Sequence, residues 1–305
     1  MQIYFLGTGA GVPSRERNVS SLALIMPEYH GQIWLFDCGE ATQHKIWDSP
    51  VKLNKVERIF ITHLHGDHIF GLPGILGSRS FQGTETPLVI YGPQGLKEFV
   101  NTALNTSRTY LRYPLEIIEI QDGTRLKVPF FSILVKKLDH GIPSYGYRLQ
   151  EQDQPGRLNV EKLEKAGIFP GPHYKLLKQG KTITLPDGRT ISGKEFIGPP
   201  KKGRTIAILG DTRTTDNSCL LAKECDLLVH EATFRAGQEQ LAANYYHSTC
   251  TEAAAAAKKA GAKHLILNHI SSRFQKDEYQ DLLKEAQAIF PATQIASDGW
   301  SFTLS

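Results

Sequence analysis

Six residues, HLHGDH at 63–68, set three imidazoles and one carboxylate directly after the apolar run ERIFIT at 57–62. Such a run reads as a buried strand, so the sheet that holds it must deliver these polar groups at its edge. Side chains alternate along a strand, which lets His63 and His65 converge on one ion, while Asp67 and His68, in the turn that follows, face a neighbouring position. Packing does not call for so many ligand-type groups at one strand end. Three further apolar runs end the same way: KKLDH at His140, ILGDT at Asp211 and ILNHI at His269. Together these segments offer five histidines and two aspartates, enough for two ions with three or four protein ligands apiece and an aspartate between them.

The rest of the chain supports that architecture. QIYFLGTG, SLALIM, WLFDCGE, LVIYGP, TIAILGDT, CDLLVHEAT and KHLILNHI each read as a short strand ending in polar or turn residues, and GLKEFVNTALN and TEAAAAAKKAG have helical spacing. Alternating strands and helices predict an α/β sandwich with the site along one edge of its sheets. The length of 305 residues suits one large core, and 40% hydrophobic with 22% charged residues excludes a disordered or fibrous chain. Cys38, Cys219, Cys225 and Cys250 form no CxxC pair and are expected as reduced thiols. No apolar stretch reaches the roughly 18 residues a membrane helix needs, so no membrane association and a cytoplasmic location are expected.

One stretch breaks the rhythm. Residues 151–204 are rich in proline and glycine, as in FPGPHYKLLKQG and FIGPPKKGR, and show little periodicity; they read as an insertion in a single catalytic domain spanning 1–305. Residues 165–204 carry nine Lys or Arg against two Asp or Glu, a balance of +7 in a chain whose total is +4, so the remainder is net −3. The charge is compatible with a polyanionic partner, the plain alternative being a solvated surface loop.

Two ions roughly 3.5–4 Å apart would polarise a phosphoryl or acyl oxygen and lower the pKa of bound water, so that metal-bound hydroxide is the expected nucleophile. Asp67 is placed to hold or accept the proton of that water. Asp37, in FDCGE, is expected to orient a histidine ligand from behind rather than to bind metal. Imidazole with carboxylate favours zinc, with manganese, iron and cobalt as alternatives.

The order HxHxDH, a later His, an Asp after Gly and a final His resembles the metallo-β-lactamase superfamily, whose fold is an αβ/βα sandwich. FLGTGAGVPSRERN at 5–18, FDCGEATQ at 36–43, THLHGDHIFGLPG at 62–74, HEAT at 230–233 and HST at 247–249 together resemble the ribonuclease Z family, which processes the 3′ end of tRNA. The likeness runs nearly end to end and includes the basic insertion, where that family carries an arm that grips tRNA. It implies that His63, His65 and His140 hold one Zn2+, that Asp67, His68 and His269 hold the other, and that Asp211 bridges them. It implies further that His247, supported by Glu231, protonates the departing oxygen. The segment 13–18 is implied to read the acceptor end, through Arg15, where the family often has lysine, and through Arg17 and Asn18. Lys175, Lys178, Lys201 and Lys202 would meet phosphates of the tRNA elbow, in contacts that position without reading sequence. The expected activity is zinc-dependent cleavage of precursor tRNA just 3′ of the discriminator nucleotide. The short form of the family implies a homodimer in which one subunit's arm serves the other's site. Another dinuclear hydrolase, or a catalytically silent RNA-binding protein, are the competing readings.

Overall fold

Each apolar run named above forms a strand in the computed structural model, which describes residues 1–304. Two seven-stranded sheets result. The first runs Ser301–Thr303, Gln2–Gly7, Ser21–Met26, Gln32–Phe36, Val56–Phe60, Leu88–Gly92, Leu115–Glu119, antiparallel as far as Gln32–Phe36 and parallel from there on. The second runs Thr293–Ile295, Leu265–Asn268, Leu227–Glu231, Thr205–Leu209, Tyr145–Glu151, Phe131–Lys137, Arg125–Val128, and its first four strands are mutually parallel. Parallel strands share a carboxyl end, and in open α/β sheets that end is where ligands bind. Asp37, His63, Asp211, Glu231 and His269 all lie at or just past such ends.

Aromatic rings fill the space beneath these ends. Phe36 stacks on Phe60 at 4.9 Å and Phe60 on Tyr91 at 5.1 Å, while Tyr147 from the second sheet meets Phe60 edge-on at 5.3 Å. The Tyr147 hydroxyl donates to the Ile61 carbonyl at 2.5 Å, which ties the second sheet to the strand that leads into His63. The alanine run at 253–257 does more than favour helix. The helix Cys250–Ala260 starts with a capping box of Thr249 and Glu252, and Ala253, Ala254 and Ala257 are fully buried against Leu228, Leu265 and Leu267 of the second sheet. Small side chains let the helix axis sit close to the sheet, so substituting them with larger residues would overpack the layer. Cys38, Cys225 and Cys250 are buried free thiols and Cys219 is half-buried. Among the described residues no helix is long and apolar enough to cross a membrane.

Val128–Ser132 and Gln150–Arg204 form a second compact unit. The insertion has regular structure despite its weak periodicity. It contains helices Val160–Lys165 and His173–Lys178 and a hairpin of Thr182–Thr184 with Thr190–Ser192. Leu163, Ile168, Leu177 and Phe196 make a core of its own, each burial contributing about 1.5–3 kcal/mol relative to exposure. Elements of six and three residues are too short to show a period, which is why the sequence hid them. The neck of the unit is closed by the antiparallel pair Gln154 and Lys201, whose amides and carbonyls exchange bonds at 2.9 Å, and by the ion pair of Arg204 with Glu151 at 2.7 Å. Gly156 passes so near the Gly198 carbonyl that a Cβ there would lie 2.0 Å from the oxygen, so only glycine fits.

Candidate metal centre and active site

The site is built from hydrogen bonds that point ring nitrogens inward. Asp37, held at φ +57 past the end of its strand, accepts from the Thr62 amide at 2.7 Å, from Thr62 Oγ1 at 2.8 Å and from His68 Nδ1 at 2.8 Å. Because the Thr62 hydroxyl donates to Asp37, it can only accept from His63 Nδ1, 3.0 Å away. Thr233 repeats the device: its hydroxyl donates to Glu231 at 2.7 Å and accepts from His269 Nδ1 at 2.9 Å. His140 Nδ1 donates to the Tyr246 carbonyl at 2.9 Å. In His63, His68, His140 and His269 the Nδ1 proton is therefore engaged, and Nε2 is left as a lone pair. Such outer partners are the ordinary means of fixing the tautomer of a metal-binding histidine.

Those lone pairs converge. His63 Nε2 and His140 Nε2 each lie 3.1 Å from His65 Nδ1. His68 Nε2 and His269 Nε2 are 3.3 Å apart, and Asp67 Oδ2 lies 3.4 Å from the first and 3.3 Å from the second. Asp211 Oδ2 stands between the two groups, 3.6 Å from His63, 3.5 Å from His68 and 3.2 Å from His269. One imidazole proton cannot satisfy two facing lone pairs, so this donor set fits cations. Burial and the neighbouring His68 imidazole hold the His63 pKa well below its usual value, which keeps the ring neutral as a ligand must be. Burial opposes ionisation of Asp211, yet the imidazoles of His269, His68 and His63 hold its carboxyl well below the usual carboxylate range.

Beside this centre sits a carboxylate–imidazole pair. Glu231 Oε1 accepts from the Thr212 amide and from His247 Nδ1, both at 2.8 Å, while Oε2 takes the Thr233 hydroxyl. Burial works against a charged His247, but the Glu231 carboxylate outweighs it and pushes the pKa up to about 9. His247 therefore carries a transferable proton at neutral pH, its ring 5.1 Å from His140 and 5.4 Å from His269.

The residues expected to contact RNA divide. Arg15, Lys175, Lys178, Lys201 and Lys202 are exposed. Arg17 and Asn18 are not, and their expected role as surface contacts needs correcting. Arg17 is 3% exposed, donates to Thr8 Oγ1 at 2.7 Å and to the Ala296 carbonyl at 2.6 Å, and lies 4.2 Å from the Tyr279 ring centre. The Asn18 amide donates to Asp298 and its side chain to the Glu40 carbonyl. Both residues direct donors to partners inside the protein, anchoring the loop whose Gly11 amide reaches Asp67 Oδ2 at 2.8 Å. Arg17→Ala should accordingly cost about 3 kcal/mol of stability by orphaning buried acceptors, a fall of roughly 5–10 °C in Tm, without changing the salt slope of RNA binding. A shallower salt slope at unchanged Tm would contradict this. Thr62 and Thr233 carry no signal of their own in the sequence, although Thr62 adjoins His63 and Thr233 closes the HEAT segment.

Known proteins arranged this way can now be compared. Over 304 residues the chain is 55% identical to the ribonuclease Z of Geobacillus kaustophilus, covering 100% of this chain and 99% of that protein. The chain belongs to the ribonuclease Z family. It is 57% identical to the family member from Limosilactobacillus fermentum, with 98% of this chain and 96% of that one aligned. It is also similar in structure to human tRNase Z, short form, with a TM-score of 0.71, 31% identity and full coverage of both chains. The metallo-β-lactamase fold protein YhfI from Bacillus subtilis, at TM-score 0.69 and 22% identity over 99% of this chain and 98% of that one, shares the fold. A family model described as anti-Pycsar protein Apyc1 matches residues 1–127, the part that carries the HLHGDH segment. The fold is thus a metallo-β-lactamase-type αβ/βα sandwich, and the family's members are metal-dependent hydrolases.

Proposed function

We propose that this chain is a metal-dependent endoribonuclease that cleaves precursor tRNA 3′ of the discriminator nucleotide and removes the 3′ trailer. The observation that carries the reading is the convergence of five imidazoles and two aspartates beside the Glu231–His247 pair. His63, His65 and His140 would hold one divalent ion, Asp67, His68 and His269 a second, with Asp211 shared; zinc suits these ligands best. When bound, the ions supply charge stabilisation and water activation. Asp67, steadied by the Gly11 amide, orients the attacking water and takes its proton. As the water oxygen joins phosphorus, the bond to the discriminator O3′ breaks and His247 gives its proton to that oxygen. The products are a 3′ hydroxyl on the tRNA and a 5′ phosphate on the trailer. Glu231 keeps His247 charged and aimed.

Arg15 and the exposed lysines of the second unit, Lys175, Lys178, Lys201 and Lys202, are assigned to phosphate contacts. A homodimer, with one subunit's arm serving the other's site, is part of the same reading. Trp47, Phe70, Phe81 and Tyr110 are 65–88% exposed. Hollows lined by Trp47 with Gln82 and by Phe81 with Tyr110 flank the end of the helix Leu72–Phe81, an apolar face that suits a second copy. The deciding assay incubates the protein with a 3′-extended precursor. Cleavage next to the discriminator, lost with chelator and restored by added zinc, is expected; chelator-resistant cutting, or none, would overturn the proposal.

A further inference from the structure

Three loops of the proposed site meet at one guanidinium that the chemistry above does not use. Arg213 lies two residues past Asp211. Its amide donates to the Asp139 carbonyl at 3.0 Å and its Nε to Asp139 Oδ2 at 2.6 Å, and Asp139 immediately precedes His140. The same guanidinium sits 4.5 Å from the centre of the Tyr246 ring, and Tyr246 immediately precedes His247. Tyr246 holds φ +58, a left-handed conformation that a bulky side chain adopts only when its surroundings impose it. Its carbonyl is the group that receives His140 Nδ1.

We infer that Arg213 is a positioning residue for proton delivery: by stacking on Tyr246 it holds the strained turn that carries His247, and through Asp139 it registers that turn against the His140 loop. The inference rests on the reading of His247 as the acid. The Arg213 and Asp139 side chains are 39% and 42% exposed, and an exposed ion pair alone contributes little. What sets this arginine apart is that one planar group makes both the stack and the hydrogen bond, which lysine cannot reproduce. His140 would also be held by the ion it shares with His63 and His65. His247 has Glu231 and this turn.

The test exploits the leaving group. The ribose O3′ of precursor tRNA needs a proton to depart, whereas p-nitrophenolate leaves bis(p-nitrophenyl) phosphate as a stable anion. Arg213→Ala is expected to lose about 30-fold in kcat on precursor tRNA with KM within about 2-fold, part of the 10²–10⁴ that a positioned acid supplies. On the aryl diester it should lose less than about 3-fold, with zinc content and Tm unchanged. Arg213→Lys should recover only part of the loss. Tyr246→Ala opens the same contact from the other side and should reproduce the selectivity. Equal losses on both substrates, or no loss on either, overturn the inference. His247→Ala serves as the reference: if it is selective and Arg213→Ala is not, the clamp alone falls; if it is not selective, the acid assignment falls and takes the clamp with it.

Discussion

Asp67→Ala loses at least about 10³-fold in kcat while binding precursor tRNA with unchanged Kd. The carboxylate does three things at once: its Oδ2 accepts from the Gly11 amide at 2.8 Å, faces His269 Nε2 at 3.3 Å and faces His68 Nε2 at 3.4 Å. Burial opposes its ionisation, but the neighbouring His269 and His68 rings favour the charged form and lower its pKa, so it enters the reaction as a carboxylate. Alanine removes that charge from between two imidazoles and leaves the water without its anchor. Asp67→Asn keeps the shape and the Gly11 contact but not the charge, and should be nearly as inactive. Single-turnover cleavage measured beside filter binding separates the two roles. A loss of affinity as large as the loss of rate would show that Asp67 serves RNA binding rather than the chemical step.

Removing the second unit is expected to lower kcat/KM on precursor tRNA by about 100-fold or more and to leave hydrolysis of bis(p-nitrophenyl) phosphate within about 3-fold. The structure dictates where to cut. Excision from Gly171 to Pro200 would take Leu177 and Phe196 and strand Leu163 and Ile168 as exposed apolar residues. Gln154 and Lys201, by contrast, are a hydrogen-bonded antiparallel pair, so their Cα atoms lie about 5.5 Å apart and a short Gly-Ser link can replace 155–200. The exposed Lys175 and Lys178 leave with the excised segment and take their counterion release with them, so the intact protein should lose affinity more steeply with salt than the trimmed one. Mixing trimmed subunits with Asp67→Ala subunits tests the trans arrangement, because a mixed dimer joins a whole site to a partner's arm. Recovery of activity is expected; additive inactivity, or a monomer in sedimentation, would refute the dimer reading. Equal losses on both substrates would deny the arm its role.

Much of the candidate site was legible because its segments each follow an apolar run, a pattern that needs no tertiary information: ERIFIT before His63, TIAILG before Asp211, KHLILN before His269. The sheet then does the rest, since parallel neighbours bring those ends together. Strands such as Leu115–Glu119 and Thr293–Ile295 were missed because they are short or half-exposed, so no apolar run marks them. Arg17 and Asn18 misled for a different reason. A charged side chain in a polar loop reads as surface, and only the packing of Tyr279, Ala296 and Asp298 around that loop turns it inward. The orienting threonines were invisible because a hydroxyl that passes a hydrogen bond from histidine to carboxylate has no sequence period, only a place in three dimensions.

The candidate ligands are scattered from residue 63 to residue 269, and that spread sets a timetable for synthesis. A nascent chain has the His63, His65 and His140 group once residue 140 has emerged, but Asp211, His247 and His269 follow only after residues 150–204 have been made. The strand Leu265–Asn268 must also insert beside Leu227–Glu231 before His269 can face His68. A fragment released before residue 211 therefore carries the exposed lysines of the second unit but lacks Asp211, His247 and His269. Synthesis of His269 is the step that completes the candidate ligand set.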